Sequence, residues 1–270
     1  MKAHVATNAG DYLRAWRQRR RMSQLELALE ADISQRHLSF LESGRSLPSR
    51  EMLMHLAEQL DVPLRERNAM LIAAGYAPLY AERSLDDPSM SGARAALDRV
   101  LKGHEPFPAL VIDRHWNLVA ANAALTPMLR GVTDAKLLQP PVNVLRLSLH
   151  PAGLAPRVAN LAEWRAHLLD RLRRQVAITN DPVITELLQE LTAYPLARKL
   201  AAMSATVPGD HSNVLVPLEF VGETGLLSLI STTMMFGTPR DITLSELALE
   251  AFFPANAKTA ERLRQLADRA

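Results

Sequence analysis

The chain contains no cysteine. Without a thiol it can form no disulfide, no thiolate nucleophile and no cysteine-ligated zinc or iron–sulfur site. It also lacks a run of about 18 uninterrupted apolar residues that could span a bilayer, and its first residues lack the apolar centre of a signal peptide. We therefore expect a cytoplasmic protein without a membrane segment.

Common catalytic motifs are missing too. The sequence has no GxSxG elbow, no HExxH pair and no glycine-rich phosphate loop, so the hydrolase, metalloprotease and nucleotide-binding classes that use them are disfavoured. We expect no metal, no cofactor and no catalytic site.

The composition is that of a globular protein, with 48% hydrophobic and 22% charged residues in a chain of 270. This length allows two domains with separate cores. The net charge of +2 is unevenly distributed, because the first 50 residues hold nine Lys and Arg against five Asp and Glu. This basic N-terminal segment indicates contact with a polyanion.

Residues 10–74 show the pattern of five consecutive helices. Ser23 and Glu26 have the spacing of a capping box, and Ser34 is placed to cap a third helix over 35–42. Gly44 follows that helix where a left-handed residue is favoured. We assign 1–75 to this helical domain.

Residues 76–92 lose helical periodicity and gather Pro, Ser and Asp, which indicates a linker. Residues 93–270 then mix strands and helices, which predicts an α+β domain with an antiparallel sheet and helices on one face. The expected helices are 93–102, 161–178, 182–194 and 255–268. The expected strands are two within 109–122 and three more within 213–220, 225–237 and 243–254.

The stretch "SQLELALEADISQRHLSFLESG" places two short helices around a four-residue turn. The exposed face of the second carries Gln35, Arg36 and Ser39. Arg can donate two hydrogen bonds to guanine, Gln can pair with adenine, and helix N-termini such as those at Gln24 and Gln35 favour phosphate. This arrangement is typical of a recognition helix for the major groove of double-stranded DNA.

These features resemble the phage-repressor and Cro-type helix-turn-helix family, often called the Xre family. The resemblance implies that Gln24 contacts backbone phosphate and that Gln35, Arg36 and Ser39 face base edges. It further implies an ion pair between Arg17 and Glu42. We expect Arg45 to position the domain on DNA rather than to specify sequence.

One residue of this motif departs from the family pattern, and two other features carry open alternatives. Asp32 stands in the turn where the family usually has Gly, at a position that requires positive φ. Phe40 either touches a thymine methyl or packs under the fourth helix. The arginines of "RQRRR" (17–21) either favour the end of a helix as cations or contact phosphate.

The C-terminal domain resembles the ligand-binding half of MmyB-like regulators. The resemblance rests on "VIDRHWNLVAAN", "NVLRLSLHP", the Trp-bearing helix at 161–178 and the closing strands. It implies a PAS-like fold that binds a small apolar effector, with a fatty-acid-like molecule as the favoured type.

A fatty-acid-like ligand needs a polar anchor, and the candidates are Arg146, His150 and Asn122, each of which could instead be a surface or capping residue. Met234, with its neighbours Met235 and Phe236, either packs in the core or lines a pocket. The most economical interpretation is a homodimeric transcription regulator, since one helix-turn-helix gives little specificity. A DNA-tethered enzyme and a ligand-free protein-interaction module remain as alternatives.

Overall fold

The computed structural model describes residues 8–195 and 215–269. The chain divides into two compact units. The first runs to Ser84 and also includes the segment Thr238–Ser245, whereas the second contains Leu85–Gly237 and Glu246–Ala270. None of the helices that the structure describes is long and apolar enough to cross a membrane.

The first unit contains the five predicted helices. They are α1 (Ala9–Arg19), α2 (Gln24–Glu30), α3 (Gln35–Glu42), α4 (Arg50–Gln59) and α5 (Leu64–Ala73). Ser23 and Glu26 form the expected capping box at the start of α2, and the Ser34 hydroxyl accepts from the amide of His37 at the start of α3. Local side-chain caps therefore fix where both helices of the motif begin.

The turn between α2 and α3 requires a left-handed residue. Asp32 takes φ of +51°, and its short polar side chain makes this conformation less costly than it is for most residues. Gly44 takes φ of +72° after α3, as the sequence predicts. The core of the unit lies beneath these turns and includes Leu13, Trp16 and Leu38, all almost fully buried.

The second unit is built on one five-stranded antiparallel sheet with the strand order β2-β1-β5-β4-β3. Its strands are β1 (Ala109–Ile112), β2 (Leu118–Ala121), β3 (Leu218–Gly222), β4 (Gly225–Met235) and β5 (Ala248–Pro254). The predicted α+β class and antiparallel sheet are confirmed. β5 lies at the centre between β1 and β4, and its residues Leu249–Ala251 are buried.

Seven α-helices follow α5 in the described part of the chain. They are α6 (Ser91–Gly103), α7 (Thr126–Leu129), α8 (Val144–Leu149), α9 (Leu161–Thr179), α10 (Pro182–Ala193), α11 (Ile242–Glu246) and α12 (Ala257–Ala267). Six of them accompany this sheet, whereas most of α11 lies in the Thr238–Ser245 segment of the first unit. The longest, α9, buries Trp164, Leu168 and Leu172 along one face, as the periodicity predicts. These residues join sheet residues such as Phe220 and Leu229 in one core.

Three local predictions need correction. The expected strand over 243–254 begins only at Ala248, because Asp241 accepts from the amide of Thr243 at 2.9 Å and starts the short helix α11. The helix α8 within "NVLRLSLHP" had no sequence assignment; Asn143 caps it by accepting from the amide of Arg146. Of the strand expected at 213–220, residues 213 and 214 lie outside the described residues, and β3 begins at Leu218.

Candidate functional site

The helix α3 separates a buried face from an exposed face. Leu38 and Leu41 are almost fully buried, which fixes the rotation of the helix about its axis. Gln35 and Arg36 are exposed in its first turn, and Ser39 is half-buried one turn later. The predicted base-contacting residues therefore share one side of α3, with hydrogen-bonding groups available to a partner.

Phe40 lies between two arginines. The guanidinium carbon of Arg36 is 5.4 Å from its ring centroid and that of Arg45 is 5.7 Å away. The Phe40 carbonyl also accepts from the backbone amide of Arg45 at 2.9 Å. The aromatic ring thus gives two cations a common platform, which restricts where their side chains point.

Glu42 at the end of α3 is the centre of a buried polar network. Its carboxylate is fully buried and accepts from Arg17 Nε at 2.6 Å and Nη2 at 2.8 Å. Gln24 Nε2 donates to the same carboxylate at 2.8 Å, and Arg14 Nη2 donates to the Glu42 carbonyl at 2.7 Å. The network joins α1, α2 and α3, and it holds the side chain of Gln24 at the start of α2.

The arginines of "RQRRR" have separate surroundings. Arg19 lies over the ring of Trp16 at 4.8 Å. Arg20 donates to the carbonyls of Leu60 and Asp61, at 2.8 and 2.9 Å, and so satisfies acceptors after α4. Arg21 is exposed with φ of +57°. Arg20 therefore has a role in tertiary structure that neither sequence alternative included.

Arg146, an expected ligand anchor, is engaged by another residue of the chain. Its Nε and Nη2 donate to the carboxylate of Glu190 at 2.8–3.0 Å. Tyr194 also donates to Glu190, at 2.6 Å. The hydrogen bond between Arg146 and Glu190 lowers the pKa of Glu190 and raises that of Arg146. The pKa of Tyr194 is raised mainly by burial and also by its hydrogen bond to Glu190.

The other two predicted anchors make local contacts as well. His150 Nδ1 accepts from the amide of Ala152 at 3.1 Å. Asn122 is buried; its Oδ1 accepts from the amide of Ala109 at 3.0 Å, and its Nδ2 donates to the carbonyls of Leu101 and Phe107. Asn122 thus ties the end of α6 to β1, which accounts for its polar side chain in structural terms.

Met234 and Met235 lie at the exposed end of β4, with 43% and 68% of their surfaces accessible. The core-packing interpretation of these two residues is therefore wrong. The sheet supplies the reason, since β3 pairs only with Gly225–Leu229 and the last residues of β4 lie beyond that pairing.

One polar cluster was absent from the sequence predictions. Glu250 lies on the central strand β5 with only 5% of its surface exposed, and Arg171 of α9 donates to it at 2.5 Å. Arg171 also donates to the Thr233 hydroxyl on β4 at 2.8 Å and lies over the ring of Trp116 at 4.6 Å. We call Arg171, Glu250, Thr233 and Trp116 the sheet cluster. The sequence did hold a signal, because Arg171 interrupts the apolar stripe of Trp164 and Leu168.

His167 lies near this cluster on α9. Burial, together with the neighbouring cations Arg171 and Arg174, lowers the pKa of His167. Its ring stacks on Trp164 at 5.5 Å. His167 thus adds, beside the sheet cluster, an imidazole whose lowered pKa favours its neutral form.

Comparison with known protein families matches both parts of the chain. Residues 13–67 match the helix-turn-helix family. Residues 93–266 match the family described as the MmyB-like transcription regulator ligand binding domain. A comparison with curated proteins gives no match. Since the second match spans more than half of the sequence, the chain belongs to the family of MmyB-like transcription regulators, with a helix-turn-helix for DNA and a ligand-binding domain.

Proposed function

We propose that this DNA-binding transcription regulator reads operator sequence with α3 and responds to an apolar effector bound by its second unit. The observation that supports DNA binding is the exposed face of α3 with Gln35 and Arg36. The other end of this helix is anchored because its last residue, Glu42, is buried and bonded to Arg17. A reading helix needs free donors and acceptors on a fixed scaffold, and this geometry supports both requirements.

The residues divide by expected role. Arg36 and Gln35 are proposed to specify bases, with Ser39 as a third contact on the same face. Gln24 and Arg45 are proposed to contact phosphates and set the position of the domain. Gln24 Nε2 donates one hydrogen to Glu42, which leaves its second hydrogen for a phosphate oxygen.

We further propose that the protein binds DNA as a homodimer in the cytoplasm. A single recognition helix covers only a few base pairs, and two copies related by a twofold axis would read half-sites about one helical turn apart. The protein would then select operators with inverted symmetry.

For the second unit we propose an apolar effector of fatty-acid-like type, held in a PAS-like domain that binds rather than turns over its ligand. The five-stranded antiparallel sheet and the family match support a sensor of this kind. An acyl chain of about 14 carbons gains roughly 0.8 kcal/mol for each buried methylene, enough to survive purification after ordering costs.

A carboxylate headgroup on the effector would compete with the chain's own carboxylates for the cations of the second unit. Arg146 is paired with Glu190 and Arg171 with Glu250. A free acid would have to displace one of these partners, and the exposed Arg146–Glu190 pair costs less to open than the buried one. A neutral alcohol or amide could instead bond without displacing either.

Native mass spectrometry of the purified protein, followed by organic extraction and analysis of the extract, tests this proposal. A dimer carrying a co-purified acyl species supports it, and the extract distinguishes a free acid from a neutral lipid. A monomer with no extractable species, which also gains no mass on incubation with tetradecanoate or tetradecanol, would contradict the effector assignment.

A further inference from the structure

The connection between β4 and β5 belongs to the helix-turn-helix unit rather than to the sheet from which it extends. Thr238–Ser245 falls within the first compact unit, whereas the residues on both sides of it fall within the second. We call Thr238–Ser245 the strap. The chain thus leaves the sheet after β4, enters the DNA-binding unit and returns to form β5.

The strap is bonded to the residues that follow α5. Asp241 forms a parallel bridge with Ala81, and the amide of Ile242 donates to the Ala81 carbonyl at 2.8 Å. Asp241 and Ile242 are both at least 96% buried. The Asp241 carboxylate lies 3.7 Å from Arg83 Nη1 and also starts α11. Because buried backbone groups need partners, these contacts fix the position of the strap within the first unit.

The backbone of the residues before Ala81 is in turn hydrogen-bonded to Asn68 of α5. Asn68 accepts from the amides of Leu79 and Tyr80 at 2.9 and 3.0 Å, and its Nδ2 donates to the Tyr80 carbonyl at 2.7 Å. We call 79–83 the arm. Three hydrogen bonds with one side chain thereby connect the arm to α5.

The helix α5 continues this path into the core that orients α3. Met70 and Leu71 are fully buried in the same apolar cluster as Leu38 and Leu41 of the recognition helix. At the other end, the strap joins covalently to β4 and β5, the strands that carry Thr233 and Glu250 of the sheet cluster. The strap is therefore both bonded to the arm and covalently continuous with the sheet cluster's strands.

We propose that the strap transmits the state of the β4–β5 pair to the DNA-binding helices through Ile242, Ala81 and Asn68. A change in the spacing or order of β4 and β5 pulls on the strap from both ends. The buried bridge to the arm converts that change into altered stability of α5 and its core. This inference rests on the proposed function for its purpose, because it supplies the route that a ligand-controlled regulator needs.

A proline substitution isolates the decisive contact. Ile242→Pro removes the amide that donates to Ala81, and proline is favoured at the first position of a helix such as α11. Ile242→Ala removes the same buried side chain but keeps the amide, so it is the matched control. Both are compared in the full-length chain.

The sheet is then perturbed from within. Leu229 is fully buried on β4, outside the strap, and Leu229→Ala weakens the sheet. Hydrogen–deuterium exchange is measured on peptides covering 64–81. In the Ile242→Ala background, Leu229→Ala should accelerate exchange at Leu79 and Tyr80 at least about threefold. In the Ile242→Pro background the same change should leave that exchange rate unaltered.

Equal acceleration in both backgrounds, or none in either, would overturn the proposal. If Leu229→Ala prevents folding, Leu229→Val applies a smaller perturbation with the same comparison. The measurement uses neither operator nor effector. A negative result would therefore leave the proposed DNA and ligand binding intact. Likewise, a negative result for DNA or ligand binding would not change the exchange result.

Discussion

The Glu42 carboxylate, fully buried at the end of α3, accepts two hydrogen bonds from Arg17 of α1 at 2.6 and 2.8 Å. A bidentate pair of this kind fixes both distance and orientation, because the planar guanidinium matches the two carboxylate oxygens. The orientation of α3 relative to α1 therefore depends on this ion pair as well as on the packing of buried leucines.

Arg17→Ala should lower the free energy of unfolding by about 3 kcal/mol or more, because it leaves the buried Glu42 carboxylate without its cation. Arg17→Met combined with Glu42→Leu should recover much of the loss, since it removes both charges. Urea unfolding of the three chains measures the effect.

Arg174→Ala provides the control for an exposed pair of the same chemistry. Arg174 and Asp170 lie four residues apart on α9, with side chains 74% and 51% exposed. Its cost should be far smaller than that of Arg17→Ala, because solvent screens an exposed pair. If Arg17→Ala and Arg174→Ala had the same free energy of unfolding, the buried Arg17–Glu42 pair would not have the stabilising role assigned to it.

Phe40→Ala should weaken DNA binding although the ring offers no hydrogen bond. Arg36 and Arg45 both lie over this ring, and without it their side chains have more conformations to lose on binding. We expect a loss of about 1 kcal/mol in binding free energy by fluorescence anisotropy. Phe40→Tyr keeps the aromatic face and should bind like the native chain; an equal loss in both variants would point to damaged packing.

Asp32 allows a test of the strained turn between α2 and α3. The residue is exposed with φ of +51°, so the substitution changes backbone preference more than contacts. Asp32→Gly should be at least as stable as the native chain, and Asp32→Ala less stable than Asp32→Gly by about 1 kcal/mol. Thermal unfolding that ranked Ala above Gly would contradict this account of the turn.

The helix-turn-helix was predictable from sequence because its signals are local. The caps at Ser23 and Ser34 and the left-handed Gly44 each depend on residues within one helical turn. The nearby sequence is therefore enough to predict where these helices begin and end. The Arg17–Glu42 pair is a long-range contact that the family resemblance implied. The bond from Gln24 to Glu42 was not anticipated, since nothing in the spacing shows which polar groups converge on one buried carboxylate.

The second unit shows where such reading fails. Strands β1 and β2 and helices α9 and α10 follow from periodicity. The helix α11 inside an expected strand depends on one cap at Asp241, and the ion pair of Arg171 with Glu250 joins residues 79 positions apart. Arg146 was expected to anchor a ligand, but it is paired with Glu190 of a different helix. Pairings across elements depend on the tertiary fold, which periodicity does not encode.

The Arg146–Glu190 pair should make stability depend on acidity. The hydrogen bond from Arg146 lowers the Glu190 pKa below its ordinary value of 4.5. The contribution of the ionised carboxylate is present above that value and is lost as the pH falls through the lowered folded-state pKa. Native protein should therefore lose more stability than Glu190→Gln between about pH 6 and pH 3.

Urea unfolding at several pH values measures this difference. Glu186→Gln, an exposed change on the same helix, serves as the control and should follow the native chain. If Glu190→Gln ran parallel to the native chain over the whole range, the pair would make no pH-dependent contribution to folding.

The central claim is that α3 reads sequence through Arg36, and binding of Arg36→Ala and Arg45→Ala to two duplexes tests it most directly. One duplex is the site selected by the native protein from a random library, and the other is random DNA. Arg36→Ala should lose about 1–3 kcal/mol on the selected site and little on random DNA, with relaxed preference at one base pair. Arg45→Ala should weaken both duplexes alike and reduce the slope of log affinity against log salt by about one. Equal losses for Arg36→Ala on the selected and random duplexes would contradict the account.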